Sequence, residues 1–331
     1  LFNYLLLRYK YLMAVYTNVT NEELSDFISK YNIEKIIRFN GIKSGTSNSN
    51  YLLETEKRKL ILTLFEERTN QENLPFFFDL MNHLNSANIK CPEVIKDQND
   101  NFSNRLNGKH AVITSFMSGK SIDQIQPSHC SSLGATVAKM HNESAKIKII
   151  RENELGFFKL QKLLEKLESL NSLETETIKF LNEDYYFLYK ELNKNLPSGI
   201  IHADLFPDNI FFDGNELTGI IDFYFSCNDF YAYEIAICLN AWCFELNNNE
   251  FNPTKAKHLL KSYNEYRKFS IEEVDALPLL TRASALRYLL TRLIDFHTHA
   301  DSELILKKNP NEYLLKLKFH QTVKKASEYG L

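Results

Sequence analysis

One short stretch of the sequence brings together side chains that could hold a metal ion and accept a proton. It reads Ile-His-Ala-Asp-Leu-Phe-Pro-Asp-Asn, with His202, Asp204 and Asn209, and Asp222 ends the next apolar run. Carboxylate and amide oxygens suit Mg²⁺, and a carboxylate can deprotonate an alcohol. A plainer alternative is that these are turn formers of an exposed hairpin. It does not explain Asp222, because a carboxylate at the edge of buried strands is costly without a partner.

The order of these residues resembles the catalytic loop and metal-binding aspartate of protein kinases and their small-molecule relatives. In that resemblance Asp204 orients and deprotonates the acceptor hydroxyl, while Asn209 and Asp222 hold Mg²⁺ at the phosphates of ATP. His202 is grouped with the catalytic residues and would mainly fix the loop. His-Ala-Asp in place of His-Arg-Asp favours the small-molecule branch. The resemblance therefore implies ATP-dependent phosphoryl transfer to a small alcohol.

The surrounding sequence predicts the elements that must position these residues. Apolar runs rich in β-branched residues indicate antiparallel strands early in the chain, with a helix over 74–84 laid on them. After Gly119 the pattern changes to long helices, interrupted by one strand-rich island at 199–224. We therefore predict an α+β, protein-kinase-like two-lobed fold, with a small antiparallel-sheet N-terminal lobe and a larger, mostly helical C-terminal lobe.

The predicted boundaries follow from this change of pattern. Residues 13–117 would form the nucleotide-binding lobe, and residues 118–331 the catalytic and substrate lobe, with a last helix over 311–328. Residues 1–12 are an extension of unclear status. They are apolar but include two basic residues, and they are shorter than the ~20 residues that a membrane span needs.

The composition limits the classes of partner. A chain of 331 residues, 44% hydrophobic, can bury a full core, and its net charge of -3 gives no strong field for nucleic acid or anionic membrane. We therefore expect small-molecule partners, with neither nucleic acid nor membrane among them. The five cysteines are odd in number and lack a Cys-x-x-Cys pair, which argues against a disulfide framework. Reduced thiols predict a cytoplasmic location.

The nucleotide site is expected in the small lobe. The Gly/Ser/Asn-rich segment 41–50 lies between two strands, where kinase relatives place the loop over ATP phosphates, and its backbone N–H groups could approach phosphate oxygens. Without the downstream motif it would be interpreted as an ordinary hairpin turn. Segment 113–117 is the expected hinge beside adenine. The nucleotide-binding residues predicted on this basis are Gly45, Ser47, Asn48, Thr63, Phe116 and Met117.

The third strand departs from the general kinase pattern. Where a phosphate-pairing lysine is expected, the sequence Leu-Ile-Leu-Thr-Leu-Phe-Glu supplies Thr63. Lys43, Lys59 and Arg68 are candidate substitutes, but each is also well explained as a solvated surface charge. The departure leaves open a nucleotide-binding pseudokinase scaffold.

Several stretches resemble bacterial homoserine kinases of the choline-kinase and aminoglycoside-phosphotransferase superfamily. They include Leu62-Thr-Leu-Phe-Glu, Leu74-Pro-Phe-Phe and Ile237-Cys-Leu-Asn-Ala-Trp-Cys as well as the loop at 202–209, and the similarity runs from Met13 nearly to the C-terminus. Since Thr63 lies in one of them, the missing lysine looks like a subfamily trait. The resemblance implies transfer of the ATP γ-phosphate to L-homoserine, in threonine biosynthesis. A kinase for another small alcohol, such as choline or an aminoglycoside, is the alternative enzyme.

A homoserine site must bind an α-carboxylate and an α-ammonium group while it presents a primary alcohol to Asp204. Our hypothesis is that Arg287 or Arg292 holds the carboxylate and that Asp229 holds the ammonium group. Helix-surface salt bridges explain the two arginines equally well. Tyr224 is a candidate wall of the pocket, although aromatic residues in such positions are often part of the core.

Overall fold

The computed structural model describes residues 17–42, 48–66, 70–192, 194–298 and 308–331. They divide into two compact units, one holding the described residues up to 85 together with 91–117, the other holding 86–90 and those from 118 onward. Some residues of the sequence predictions lie outside the described residues: the extension 1–12, Lys43, Gly45, Ser47 and Arg68.

The first unit is built on a six-stranded sheet with the order β1-β2-β3-β6-β4, in which β5 also pairs with β6 and every pairing is antiparallel. Its elements are α1 (Asn21–Ile28), β1 (Ile36–Ile42), β2 (Ser49–Thr55), β3 (Lys59–Leu64), α2 (Leu74–Ser86), β4 (Val94–Ile95), β5 (Asn104–Leu106) and β6 (Lys109–Ser115). Side chains of β2 alternate between buried and half-buried positions, as a strand with one face on a core requires. Leu53, Leu60 and Leu62 are fully buried in that core.

The second unit is mostly helical. Its elements are α3 (Pro127–Ser144), α4 (Gln161–Ser169), α5 (Thr175–Glu191), β7 (Ser198–Ile201), β8 (Ile210–Asp213), β9 (Glu216–Ile220), β10 (Cys227–Phe230), α6 (Tyr231–Trp242), α7 (Pro253–Tyr266), α8 (Ile271–Thr298) and α9 (Pro310–Thr322). Strands β8 and β9 form the predicted hairpin. Together the two units confirm the predicted α+β class.

One prediction about this unit was wrong, and one strand was missed. The last helix ends at Thr322, because Val323 is extended, and the chain continues into a separate 3₁₀ turn at Ala326–Tyr329. Strand β10 was not predicted, since Cys-Asn-Asp-Phe has no β-branched residue. It forms because it pairs with β7, and α6 begins directly after it.

The helices of the second unit pack around the short strands. Gly134 allows α3 and α7 to approach, because a Cβ atom there would lie 2.2 Å from the carbonyl oxygen of Leu259. The residues of α6 are almost all buried, so this helix is the centre of the unit. Among the described residues, we find no helix with the length and apolar character to span a bilayer.

Candidate active site

The predicted catalytic residues lie in a tight loop that joins β7 to β8. Ala203 has a positive φ of 64°, which costs a non-glycine residue about 1 kcal/mol. The backbone N–H of Phe206 donates to the carbonyl oxygen of Asp204 at 2.9 Å, and that of Asn209 donates to the carbonyl oxygen of Phe206 at 3.0 Å. These bonds bring Asp204 and Asn209 together within one compact turn.

His202 positions the loop and is fully enclosed by protein. Its Nε2 donates to the carbonyl oxygen of Ile221 at 3.0 Å, and its Nδ1 accepts from the backbone N–H of Asp204 at 3.3 Å. Burial lowers the pKa of His202, so the imidazole is neutral at pH 7 with its proton on Nε2. His202 thereby links the loop of Asp204 to the residue just before Asp222.

A second buried side chain that holds the loop was missed by the sequence analysis. Glu234, in the first turn of α6, accepts hydrogen bonds from the backbone N–H groups of His202 at 2.6 Å and Ala203 at 2.7 Å. His141 Nε2 lies 3.3 Å from the same carboxylate. The available signal was a single carboxylate within the apolar run Tyr-Ala-Tyr-Glu-Ile-Ala-Ile, since glutamate is rarely buried without partners.

Asp204 and Asn209 contact each other directly. The Nδ2 group of Asn209 donates to the Asp204 carboxylate at 3.0 Å and to the Asp204 carbonyl oxygen at 2.9 Å. This leaves the amide oxygen of Asn209 as a potential metal ligand. Burial raises the pKa of Asp204, while the positive charge of Arg287 opposes that shift.

Asp222 follows β9 in a left-handed conformation with φ 64° and ψ 58°. The backbone N–H of Ile221 donates to the carbonyl oxygen of Asn209 at 3.0 Å, which ties Asp222 to the loop. Asp222 is exposed to solvent as a residue. The protein around it nevertheless desolvates the carboxyl group, and with the charges of Asp204 and Asp208 this raises its pKa to about 7.

The carboxylate and amide oxygens of the loop and of Asp222 are suitable ligands for a hard cation. Asp204, Asp208 and Asp222 repel one another electrostatically, and a bound cation would relieve that repulsion. Among the described residues no group of three His, Cys, Asp or Glu side chains forms a ready metal site. A cation held by Asn209 and Asp222 would therefore need further oxygen ligands, such as phosphate oxygens.

The two candidate arginines of α8 have different surroundings. Arg292 donates from Nη1 to Glu312 at 2.7 Å and to the carbonyl oxygen of Asn309 at 3.0 Å. The salt-bridge explanation therefore fits Arg292. Arg287 is 6% exposed, and its side chain makes no hydrogen bond or ion pair with any other described residue. Its guanidinium carbon lies 3.9 Å from the centre of the Tyr288 ring.

Asp229 lies on β10 and borders a cavity of about 240 Å³ that Tyr233 and Leu280 also line. Its carboxylate accepts from Asn153 Nδ2 at 2.6 Å and from the backbone N–H of Phe230 at 2.7 Å. Burial raises the pKa of Asp229. Tyr224 is not among the residues that line this cavity. It lies half-buried in the short turn that follows Asp222.

The described candidates for nucleotide binding lie in the first unit. Thr63 is buried on β3 and donates to Asn50 Oδ1 of β2 at 2.7 Å, while Asn48 accepts from the backbone N–H of Glu66 at 3.2 Å. Phe116 is exposed and Met117 half-buried after β6.

Among the candidate substitutes for the missing lysine, only Lys59 is described. It begins β3, pairs with Glu54 at 3.5 Å, and its Nζ lies 5.8 Å from the centre of the Phe116 ring.

Comparison with a family model and comparison with related sequences indicate the same family. A family model described as "Phosphotransferase enzyme family" matches residues 38–269. The homoserine kinase of Parvibaculum lavamentivorans is 43% identical over 320 residues, which are 96% of this chain and 99% of the relative. That of Nitrobacter hamburgensis is 44% identical over 320 residues, covering 96% and 98%.

Solved structures show the same fold at low sequence identity. An amicoumacin kinase in complex with AMP-PNP, Ca²⁺ and Ami has a TM-score of 0.68 and 14% identity, and covers 92% of both chains. The ethanolamine kinase of Plasmodium vivax has a TM-score of 0.65 and 16% identity, and covers 96% of this chain and 93% of its own. These neighbours confirm the predicted protein-kinase-like fold. Since the family model covers most of the chain and the relatives cover nearly all of it, the chain belongs to the phosphotransferase enzyme family and, within it, to the homoserine kinases.

Proposed function

We propose that this protein transfers the γ-phosphate of ATP to the side-chain hydroxyl of L-homoserine, giving O-phospho-L-homoserine for threonine biosynthesis. The observation that carries the proposal is the contact between Asp204 and Asn209, in a loop that His202 ties to the residue before Asp222. This arrangement supplies one carboxylate for the alcohol and separate oxygen ligands for a metal. The homoserine kinases that match nearly the whole chain support this choice of acceptor.

In this proposal Asp204 orients the substrate hydroxyl and accepts its proton. Burial raises the pKa of Asp204, which makes the carboxylate a better proton acceptor than an exposed one. Asn209 holds the Asp204 carboxylate through its amide nitrogen and offers its amide oxygen to the metal, while Asp222 offers a carboxylate. A bound Mg²⁺ would neutralise the charge that develops on the transferring phosphate. His202 positions the loop.

For the nucleotide we propose residues of the first unit. Asn48, Thr63, Phe116 and Met117 are the described candidates, and Gly45 and Ser47 belong to the same proposal. Thr63 makes a hydrogen bond to Asn50 and carries no charge, so it can orient polar groups but cannot supply the charge pairing of a lysine. The AMP-PNP in the amicoumacin kinase structure supports a nucleotide site in this fold.

The proposal also specifies the partners and the location of the protein. The partners are L-homoserine and ATP, both small molecules. All five cysteines are buried and free, which supports a cytoplasmic location. Arg287, a buried cation close to Asp204, argues against a quaternary ammonium substrate such as choline, which favours an aromatic cage.

The experiment is direct product identification. Purified protein with ATP, Mg²⁺ and L-homoserine is expected to release ADP and to give O-phospho-L-homoserine, identified by phosphorus NMR and mass. Omission of L-homoserine is expected to abolish ADP release. ADP release without any phosphorylated acceptor would contradict the proposal. Mg²⁺-dependent ATP binding without phosphorylation of any acceptor would favour a nucleotide-binding scaffold.

A further inference from the structure

Among the described residues, no group of opposite charge contacts the side chain of Arg287. It is 6% exposed, and among the described residues it makes no hydrogen bond or ion pair. Buried charges are normally paired, because removing water from them is costly. Arg292 on the same helix is paired in this way, since Glu312 and the carbonyl oxygen of Asn309 accept its hydrogen bonds. The side chain of Arg287 is therefore expected to bind an anionic ligand.

A phenol on which the Arg287 charge acts also lacks a hydrogen-bond partner among the described residues. The hydroxyl group of Tyr233 is buried and has no hydrogen-bond partner among the described residues. The charges of Arg287 and Asp229 both act on this phenol, and Tyr233 and Asp229 line one cavity. A buried hydroxyl is normally hydrogen-bonded, so a ligand that fills the cavity would supply the missing partner.

Arg287 also interacts with Asp204, the proposed proton acceptor. The positive charge of Arg287 acts on Asp204, and the hydroxyl of the neighbouring Tyr288 donates to the carbonyl oxygen of Ala203 at 3.2 Å. Arg287 on α8 therefore lies close enough to interact electrostatically with both Asp204 and the phenol of Tyr233. Tyr233 thus interacts with a cation, Arg287, that also acts on the proposed proton acceptor, and with the half-buried carboxylate of Asp229.

We infer that Arg287 and Tyr233 bind the α-carboxylate of an amino-acid substrate and that Asp229 binds its α-ammonium group. Each oxygen of Asp229 accepts one hydrogen bond from Asn153 or Phe230 and keeps capacity for another. The inference rests on the proposed function, because it takes the acceptor to be an alcohol that is also an α-amino acid. It assigns the carboxylate to Arg287 and removes Arg292 from the site.

The competing explanation is that Arg287 acts only as a counter-charge for Asp204. That role would affect every alcohol substrate equally, whereas a carboxylate-binding role would affect only substrates that have the carboxylate. Two analogues separate the roles. 3-Aminopropan-1-ol is L-homoserine without its carboxylate, and 4-hydroxybutanoate is L-homoserine without its ammonium group.

The experiment measures kcat/KM for L-homoserine and 3-aminopropan-1-ol in the wild-type protein and in Arg287→Met. We expect wild-type kcat/KM to be about 100- to 1,000-fold lower for 3-aminopropan-1-ol, because that analogue leaves the buried guanidinium unpaired. Arg287→Met is expected to lower kcat/KM for L-homoserine by a similar factor. It is expected to lower kcat/KM for 3-aminopropan-1-ol at least about 10-fold less, because only the effect of the Arg287 charge on Asp204 is lost there. Tyr233→Phe is expected to cost about 10-fold for L-homoserine alone.

Arg292→Met is the matched control, since it removes an arginine of α8 that is already paired. It is expected to change kcat/KM for both substrates by the same factor. Thermal unfolding and ATP binding verify that each variant is folded, and Arg287→Lys replaces Arg287→Met if the latter is not. Asp229→Asn is expected to lower kcat/KM for L-homoserine much more than for 4-hydroxybutanoate.

Equal losses for L-homoserine and 3-aminopropan-1-ol in Arg287→Met would overturn the assignment of Arg287 and leave the proposed function intact. Wild-type protein that does not phosphorylate L-homoserine would overturn both. The two failures are therefore distinguishable in one set of assays.

Discussion

The carboxylate of Glu234 accepts a hydrogen bond at 2.6 Å from the backbone N–H of His202, and both residues are buried. Its second oxygen accepts from the backbone N–H of Ala203 at 2.7 Å. Asp204 follows directly, so the first turn of α6 helps to determine where the carboxylate of Asp204 lies. Ala203 has a positive φ, a conformation that persists only where surrounding contacts hold it.

Glu234→Gln is expected to lower kcat by about 10- to 100-fold. The amide nitrogen that replaces one oxygen faces an N–H donor and leaves it unpaired, at a cost of about 1–3 kcal/mol. KM for ATP is expected to remain the same, because Glu234 acts on the loop and not on the nucleotide. Steady-state kinetics give the two constants. Glu312→Gln is the control, since it changes a carboxylate that pairs with Arg292 and Lys316, and an equal loss of kcat there would argue against a specific role for Glu234.

Asp204→Asn is expected to lower kcat by about 10²- to 10⁴-fold, the range for loss of a general base. The variant keeps the shape of the side chain, so ATP binding is expected to be unchanged. Asp208→Asn is the matched control, because Asp208 is exposed and pairs with Lys308 at 3.7 Å. A value of kcat near that of the wild type in Asp204→Asn would remove Asp204 as the proton acceptor.

Asp222→Asn is expected to abolish the effect of Mg²⁺ on nucleotide binding. Wild-type protein should bind ATP more tightly with Mg²⁺ than with excess EDTA, because a divalent cation relieves the repulsion among the carboxylates of the loop. Calorimetric titration with and without Mg²⁺ measures the difference. If Mg²⁺ strengthened ATP binding equally in the variant and the wild type, Asp222 would not be a metal ligand.

Thr63→Val is expected to raise KM for ATP and to leave KM for L-homoserine unchanged. The substitution keeps the volume but removes the hydroxyl that donates to Asn50 at 2.7 Å, at a cost of about 1 kcal/mol. Thr114→Val serves as the control, as it changes another buried threonine of the same sheet. An unchanged KM for ATP in Thr63→Val would remove Thr63 from the nucleotide site.

Acid is expected to destabilise the protein partly through His320. Burial lowers its pKa from 6.5 to about 3, and its ring nitrogens bond to Tyr329 and Asn240. Below pH 6.5 the imidazole of His320 is protonated in the unfolded chain but stays neutral in the folded chain. The contribution of His320 to the free energy of unfolding is therefore fully present above pH 6.5 and is lost as the pH falls towards 3. Between pH 7.5 and pH 5 the loss amounts to about 2 kcal/mol.

Urea unfolding at pH 7.5 and pH 5 measures this loss as a difference in the free energy of unfolding. His320→Gln is expected to be less stable at both pH values and to have a pH dependence smaller by about 2 kcal/mol. Identical pH dependence in the two proteins would show that His320 does not contribute.

The sequence was sufficient for the features that depend on local spacing. The hairpin between β8 and β9 could be predicted from Asp213-Gly214 and its apolar flanks, and it was confirmed. The contact between Asp204 and Asn209 lies within one turn of the chain. Their functional roles remain predictions.

Features that depend on contacts distant in sequence could not be found in this way. Glu234 is 32 residues from the backbone N–H group of His202 that it holds, and no local pattern indicates that pairing. The difference between Arg287 and Arg292 depends on Glu312, which is 20 residues beyond Arg292 on another helix. Strand β10 has poor intrinsic β-propensity and forms only because β7 lies beside it.

The most direct test of the account compares kcat/KM for L-homoserine, choline and an aminoglycoside in the same Mg²⁺-ATP assay, with each phosphorylated product confirmed by mass. We expect L-homoserine to be preferred by at least about 100-fold, because in our proposal Arg287 and Asp229 each bind one of its ionic groups. A kcat/KM for choline or the aminoglycoside equal to or above that for L-homoserine would contradict the account.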